Sequence, residues 1–398
     1  MLKDFQWNNM YIYLMQAWEK MDHTKSFKSQ FCDNNVHITE YVNEYNEHLI
    51  LAKYIINKDL YNNPNSIYRE ARSLVIDLNT QEIVLCPYKK FFNINEIPET
   101  DITIVIEQIK NADIVEFSDK LDGSMQSARW YNNHIILSGS SALDKQLSFQ
   151  LKEGYDLFYD NYIQLCKDNP DITFIFEAIL QDDKHIVNYH TNRLLLVGAR
   201  DIYTGYTESY KNIIKLGNQY DIPTTIIESI TLNTCLEKKS NYKATEKEGW
   251  VIYIRKNDNE YRYKLKCDDY IQLHKIINKI TDIKYLINLI IENKVDDILS
   301  NISIEYKDIL LNNLNKIYKF MEFKNKIINY YYQLIINNFI NEYTDKEFAI
   351  FVQKNIPQDI QSYMYMKHKN KKITLLKANM TEEDMNKFII KYKNSINA

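Results

Sequence analysis

The sequence predicts an α+β protein. An N-terminal domain with antiparallel sheets (residues 1–270) is followed by an all-helical C-terminal domain (residues 271–398). Three observations carry this expectation. Short β-branched and aromatic runs bounded by turn residues recur between Ser73 and Lys266. Beyond Tyr270 apolar residues repeat at the helical period almost to the end, without a glycine. All seven glycines fall between Gly123 and Gly249, so each has a plausible backbone reason there, a turn or a close approach to a ligand.

In chain order, Met10 to Met21 has a helical pattern, within a stretch of about 60 residues that is otherwise polar and irregular. Ser73–Leu78 and Glu82–Cys86 read as a hairpin across Asn79-Thr80. Residues 113–118 read as a strand. Met125–Tyr131 and His134–Ser138 form a second hairpin across Asn132-Asn133, since Asn tolerates the positive φ of such turns. Lys145 to Cys166 reads as a helix, Ile172 to Leu180 and Arg193 to Arg200 as strands, and Tyr206 to Leu216 as a helix before Gly217. Gly249–Arg255 and Tyr261–Lys266 are two further strands.

Composition narrows the function classes. A chain of 398 residues suits about two to three domains. The apolar fraction of 45% allows a proper core, and 26% charged residues argue against global disorder. The net charge of −4 excludes a basic nucleic-acid coat, although residues 301–398 hold 15 lysines against 10 acids. The five cysteines, Cys32, Cys86, Cys166, Cys235 and Cys267, include no C-x-x-C pair, which argues against a zinc site or disulfide framework and for a reducing compartment. His185 and His190 lack companion ligands. The first residues do not read as a signal peptide, and no apolar run of about 18 residues reads as a membrane span. The expectation is a cytoplasmic protein without a membrane.

The chemistry concentrates in Phe117–Met125, F-S-D-K-L-D-G-S-M. Lys120 there has the spacing K-x-D-G with Asp122 and Gly123. A nucleophilic amine must be partly deprotonated near neutral pH, and burial or neighbouring cations lower a lysine's pKa. A surface lysine in a turn has the same letters. Glu177 lies in a continuous apolar strand, where a carboxylate needs a partner or a role. Glu248-Gly249 opens another buried strand. In Tyr261–Lys266 the alternation puts Arg262, Lys264 and Lys266 on one face, where lysines two apart repel unless an anion lies between them. A lysine-guarded edge strand is the alternative. Arg72 precedes the first hairpin, and Lys89-Lys90-Phe91-Phe92-Asn93 follows it. Paired bases beside paired aromatics can hold a nucleotide; core aromatics flanked by surface lysines explain the same letters. Lys367, Lys369, Lys371 and Lys372 could contact phosphates or form a solvated face.

The order of these motifs is similar to that of the covalent nucleotidyltransferases, the ligases and mRNA capping enzymes. Within that superfamily K-K-F-F-N-I-N-E (Lys89–Glu96) and Asp269-Tyr-Ile-Gln-Leu-His274 resemble the ATP-dependent RNA ligase 1 family of T-even bacteriophage type, the tRNA-repair ligases. The match covers roughly residues 50–300.

The resemblance implies an adenylyltransferase domain followed by a helical domain that sets substrate specificity. It makes Lys120 the nucleophile that becomes lysyl-AMP, with Asp122 and Gly123 completing its motif. Tyr54, Arg72, Lys90 and Phe92 would lie around the nucleotide. Glu177 and Glu248 would contact ribose or metal, and Lys264 and Lys266 the ATP phosphates. Asp296 would lie near a divalent metal, Mg²⁺ or Mn²⁺, with Glu177. Implied partners are RNA ends, such as a nicked tRNA, and an end-healing kinase or phosphatase; the protein would act as a monomer. One departure is that Ser138-Gly-Ser-Ser-Ala142 lacks the lysine the family carries there, and Lys145 is its nearest substitute. A DNA ligase, a capping guanylyltransferase and a non-catalytic RNA-binding relative are the alternatives. The first two usually append a β-barrel where helical periodicity follows here.

Overall fold

The computed structural model describes residues 5–143, 148–183, 185–302, 304–339 and 343–395. Lys145 lies outside them. The chain divides into two compact units, Met1–Gln272 and Leu273–Ala398.

The first unit holds three sheets. Strands β1 (Val36–Val42), β2 (His48–Tyr54), β3 (Arg72–Asp77) and β4 (Glu82–Leu85) form an antiparallel sheet in that order. Next in the chain are β5 (Phe92–Asn93), β6 (Ile114–Lys120), β7 (Ser124–Tyr131), β8 (His134–Ser138), β9 (Ile172–Ile179), β10 (Arg193–Asp201), β11 (Ile227–Glu228), β12 (Gly249–Lys256) and β13 (Asn259–Lys266). One sheet runs β10-β9-β7-β8; the other runs β11-β6-β12-β13-β5 and is antiparallel except for the short β13–β5 pair. β6 and β7 belong to different sheets and are joined by Leu121-Asp122-Gly123 alone. Lys120 therefore stands where two sheets meet.

Strand alternation sorts core from pocket. On β9, Phe174, Phe176 and Ala178 pack against helices Asp160–Asp168 and Tyr210–Tyr220, while Ile175 and Glu177 face a pocket. A strand this apolar is what burial on both faces requires, since Ile175 and Ile179 are buried on the face away from the helices. β13 is not a bare edge at Tyr263 and Lys264, which pair with β5.

The structure differs from the sequence expectation in three places. The β1–β2 hairpin occupies a stretch that reads as irregular. The helix expected over Lys145–Cys166 is two, Phe149–Asp156 and Asp160–Asp168, because Phe158 between them turns into the core. The helix expected over Tyr206–Leu216 is Tyr210–Tyr220: Ser209 caps its start, and it runs through Gly217 to a left-handed Asp221. Gly217 serves packing instead, since a Cβ there would lie 2.2 Å from the Thr224 side chain.

The second unit is helical. Its helices include Ile283–Ile291, Val295–Asn301, Ile304–Asn338, Asp345–Asn355, Gln358–His368 and Glu382–Tyr392, and they close around two apolar clusters.

Candidate active site

A pocket of about 260 Å³ opens between the two sheets that meet at Lys120. Its wall includes Arg72, Phe91, Lys120, Gly123, Glu177 and Lys264.

Sheet register sets the acidic side. Gly249 on β12 lies opposite Lys120 on β6 and opposite Lys266 on β13. Glu248 precedes Gly249, so its carboxylate falls between the two amines: Oε2 is 2.7 Å from Lys120 Nζ and Oε1 2.9 Å from Lys266 Nζ. Gly249 has φ +149°, and a Cβ there would lie 2.1 Å from the Leu265 carbonyl oxygen, so no side chain can occupy this turn without moving the strand. Glu177 accepts a hydrogen bond from the Gly123 amide at 3.1 Å. Gly123 is equally constrained, with Ala178 O 2.7 Å from where a Cβ would stand.

The opposite wall is cationic. The Phe91 ring lies 5.1 Å from the Arg72 guanidinium and 4.6 Å from Lys264 Nζ. Arg72 Nη1 is buried without a hydrogen-bond partner among the described residues. Burial pulls the Lys264 amine well below the usual lysine range, and the like charges of Arg72, Lys120, Lys90 and Lys266 pull it further. Buried cations that lack partners mark a place for an anion.

Lys120 departs from the sequence expectation. Burial lowers its affinity for a proton, but Glu248, Glu177 and Asp122 outweigh burial and leave the amine above its ordinary range. Its neighbours are carboxylates, where the sequence suggests burial and cations. Glu177 is pushed up to about 7 by burial, against the pull of Lys120 and Arg72.

Other expected residues stand around this centre. Asp122 accepts from the amides of Ile186 (2.8 Å) and Val187 (3.0 Å) and from the Tyr270 hydroxyl (2.9 Å), so it pins the 185–189 loop beside Lys120. Lys90 Nζ lies 5.5 Å from the Tyr54 ring and 5.1 Å from Phe92. Phe92 is 3% exposed in an apolar cluster with Leu60 and Ile97, outside the Lys120 pocket wall. Phe91 lines that wall in place of the expected Phe92; strand alternation across Phe91-Phe92 is the signal that only one of the two faces it. Arg262 bonds Glu260 at 2.9 Å and Thr207 at 2.7 Å, so it braces the strand and leaves the anion to its lysine neighbours. Asp296 lies in the second unit, in the first turn of Val295–Asn301. Tyr270, on Asp122, and Lys247, which bridges Asp119 and Glu228, are additions from the structure; their partners are far away in sequence.

A buried amine between carboxylates, facing a cationic aromatic wall, is an arrangement that suits a covalent nucleotidyltransferase. Comparison with known proteins is specific. The family described as RNA ligase matches residues 70–270. The chain is 26% identical over 253 residues to the "Putative RNA ligase" of Thermovibrio ammonificans, covering 59% of this chain and 61% of that protein. It is 24% identical over 281 residues to the "Putative bifunctional polynucleotide kinase/RNA ligase" of Autographa californica nuclear polyhedrosis virus, covering 65% of this chain and 38% of that protein. The chain thus spans less than two thirds of the length of either relative. Among solved structures, a Naegleria gruberi RNA ligase with PPi is 16% identical with a TM-score of 0.35, over 47% of this chain and 57% of that one. The chain belongs to the RNA ligase family, of the T4 type within the nucleotidyltransferases.

Proposed function

We propose that this protein is an ATP-dependent RNA ligase that joins 5′-phosphate to 3′-hydroxyl RNA ends, in the repair of tRNA or other RNA. The observation that carries this reading is the placement of Lys120 between Glu248 and a partnerless cationic wall of Arg72 and Lys264.

In the first step the Lys120 nitrogen attacks the α-phosphorus of ATP, the bond to the β-phosphate oxygen breaks, and pyrophosphate leaves. The amine must first lose its proton, and Glu248 at 2.7 Å is placed to take it. In the second step an oxygen of the RNA 5′-phosphate attacks the same phosphorus, and the P–N bond breaks. In the third, the 3′-hydroxyl of the other end attacks the RNA 5′-phosphorus and AMP leaves. Negative charge gathers on phosphoryl oxygens each time, and Arg72, Lys264 and Lys266 are fixed charges that stabilise it.

A divalent ion, Mg²⁺ or Mn²⁺, suits this donor set. No cluster of three or more ligating side chains occurs among the described residues, but such ions take one or two carboxylates and complete their shell with phosphate and water. Glu177 and Glu248 would hold it. Bound there, it would supply positive charge to the phosphates.

The reading extends to a monomer in the cytoplasm with an end-healing partner. No described helix is long and apolar enough to cross a membrane, and the viral relative's name couples a polynucleotide kinase to an RNA ligase. Incubation with ATP labelled on the α-phosphate is the test. A covalent adduct is expected with the natural chain and none with Lys120→Ala; no adduct with the natural chain would overturn the reading. Labelled GTP in the same assay separates a capping enzyme.

A further inference from the structure

The basic run near the end of the chain is unused by the Lys120 pocket. In the second unit the chain leaves helix Gln358–His368 and runs from Lys371 to Lys377 with neither helix nor strand. This strap is fastened along its inner side. Ile373 and Leu375 pack on one apolar cluster, and Leu376 is 3% exposed in the other.

Beneath it lies a buried lysine. Lys324, on helix Ile304–Asn338, is 3% exposed and donates to the Leu375 carbonyl and to the Tyr363 hydroxyl, both at 2.8 Å. Its amine also faces the rings of Phe320, Tyr363 and Phe388. A buried ammonium is costly to keep, and here it ties an irregular segment to the helices.

With its inner side fixed, the segment presents Lys369, Lys371, Lys372 and Lys377 to solvent. Among the described residues none of these four has a carboxylate at ion-pair distance, although the field of Asp345, bound to His368, reaches Lys369. Lys367 is different: it turns inward to the Asn329 side chain and the Tyr332 ring. The structure therefore replaces Lys367 by Lys377 in the cluster seen in the sequence. Four lysines within nine residues repel one another, and a polyanion relieves that repulsion.

We propose that the strap Lys369–Lys377 is a contact surface for the phosphate backbone of the substrate RNA. The proposal rests on the ligase reading. From Lys371 to Lys377 an extended chain spans at most about 20 Å, enough for several phosphates. The apolar residues of the strap pack into the unit, which leaves nothing to insert into a bilayer.

The experiment compares the natural full-length chain with a variant carrying Lys369→Glu, Lys371→Glu, Lys372→Glu and Lys377→Glu. The probe is a fluorescent, 5′-phosphorylated single-stranded RNA titrated at several salt concentrations. Binding at low salt is expected to weaken at least about tenfold. The salt slope should fall by about 3, at about 0.7 for each phosphate that is no longer neutralised. Lysyl-AMP formation and far-UV circular dichroism should not change. A second variant makes the same charge change at exposed Lys275, Lys284, Lys319 and Lys354, and should bind RNA nearly as the natural chain does. Unchanged binding by the strap variant, an equal loss in the second variant, or a preference of the strap for anionic vesicles over RNA would overturn the proposal. Failure of the natural chain to form lysyl-AMP would instead overturn the ligase reading, and the RNA titration would still decide the strap.

Discussion

Two buried lysines, one in each unit, have opposite electrostatic fates. Lys120 is flanked by Glu248 and Glu177, and its amine is held above the usual range despite burial. Lys324 bonds a hydroxyl and a carbonyl among aromatic rings, and burial, with some help from the charge of Lys377 and against that of Asp359, brings it down to about 8. Burial therefore does not make a lysine a nucleophile; its charged neighbours decide its protonation. The proposed catalytic lysine is the more basic of the two in the ligand-free protein. Its activation must come with the substrate, when a divalent ion would compete with Lys120 for its carboxylates and bring positive charge to the pocket.

The largest effect should come from removing the amine that can reach substrate. Lys120→Ala is expected to abolish the covalent AMP adduct, whereas Lys324→Ala should leave adduct formation intact per folded molecule. An adduct on Lys324 would break the comparison outright, and peptide mapping of the labelled protein would show it.

Next in size is Lys264, which shares the depressed amine of Lys324 but sits in the pocket. Lys264→Met is expected to slow lysyl-AMP formation about 10²-fold, the usual cost of losing one preorganised charge. The same change removes a buried amine that has no acidic partner among the described residues, so the ligand-free protein should melt at a higher temperature. Slower chemistry with lower stability would show that Lys264 has a structural counter-ion after all.

Much of the site is legible in the sequence, and what is missing has physical causes. Lys120 can be read from the K-x-D-G spacing, Glu177 from its place in an apolar strand, Glu248 from the Glu-Gly strand entry, and Lys264 and Lys266 from strand alternation. The electrostatics cannot, since Glu248 is 128 positions from Lys120 and only the register of β6, β12 and β13 brings them together. The β1–β2 hairpin escapes the sequence because its strands are joined by the longer polar loop 43–47 and not by a two-residue turn. Asn46 takes the positive φ of 59°, and part of the support is a contact between Glu47 and Asn132 on another hairpin. Phe92 is the expected nucleotide contact where Phe91 lines the wall, because strand phase is not fixed by a two-residue strand such as β5.

Glu177 gives a smaller, graded effect. Burial raises this carboxyl to about 7, and the proposed metal contact needs it ionised. Lysyl-AMP formation at subsaturating metal should therefore fall more steeply below about pH 7 than above it, as protonation of Glu177 adds to the proton that Lys120 must lose. Glu177→Gln should lower the rate and flatten this limb. A profile of constant slope from pH 8 to 6 in the natural chain would mean that Glu177 does not need its charge.

The smallest effect is predicted in the helical unit. The folded protein releases the Lys324 proton near pH 8, while an unfolded chain keeps it to about 10.5. Between those values the unfolded state binds more protons, so stability rises with pH, opposite to the trend for a lysine held by carboxylates such as Lys120. The gain should be about 1–2 kcal/mol between pH 7.5 and 10, since a tenfold change in proton affinity is worth about 1.4 kcal/mol and relaxation around the amine offsets part of it. Thermal melts of the natural chain and Lys324→Met across this range isolate the contribution, because other titrations are common to both. The difference between their midpoints should drift steadily in favour of the natural chain as pH rises. A constant difference would mean that the Tyr363 hydroxyl and Leu375 carbonyl keep Lys324 charged as effectively as water does. The contrast between the two lysines would then reduce to access to substrate.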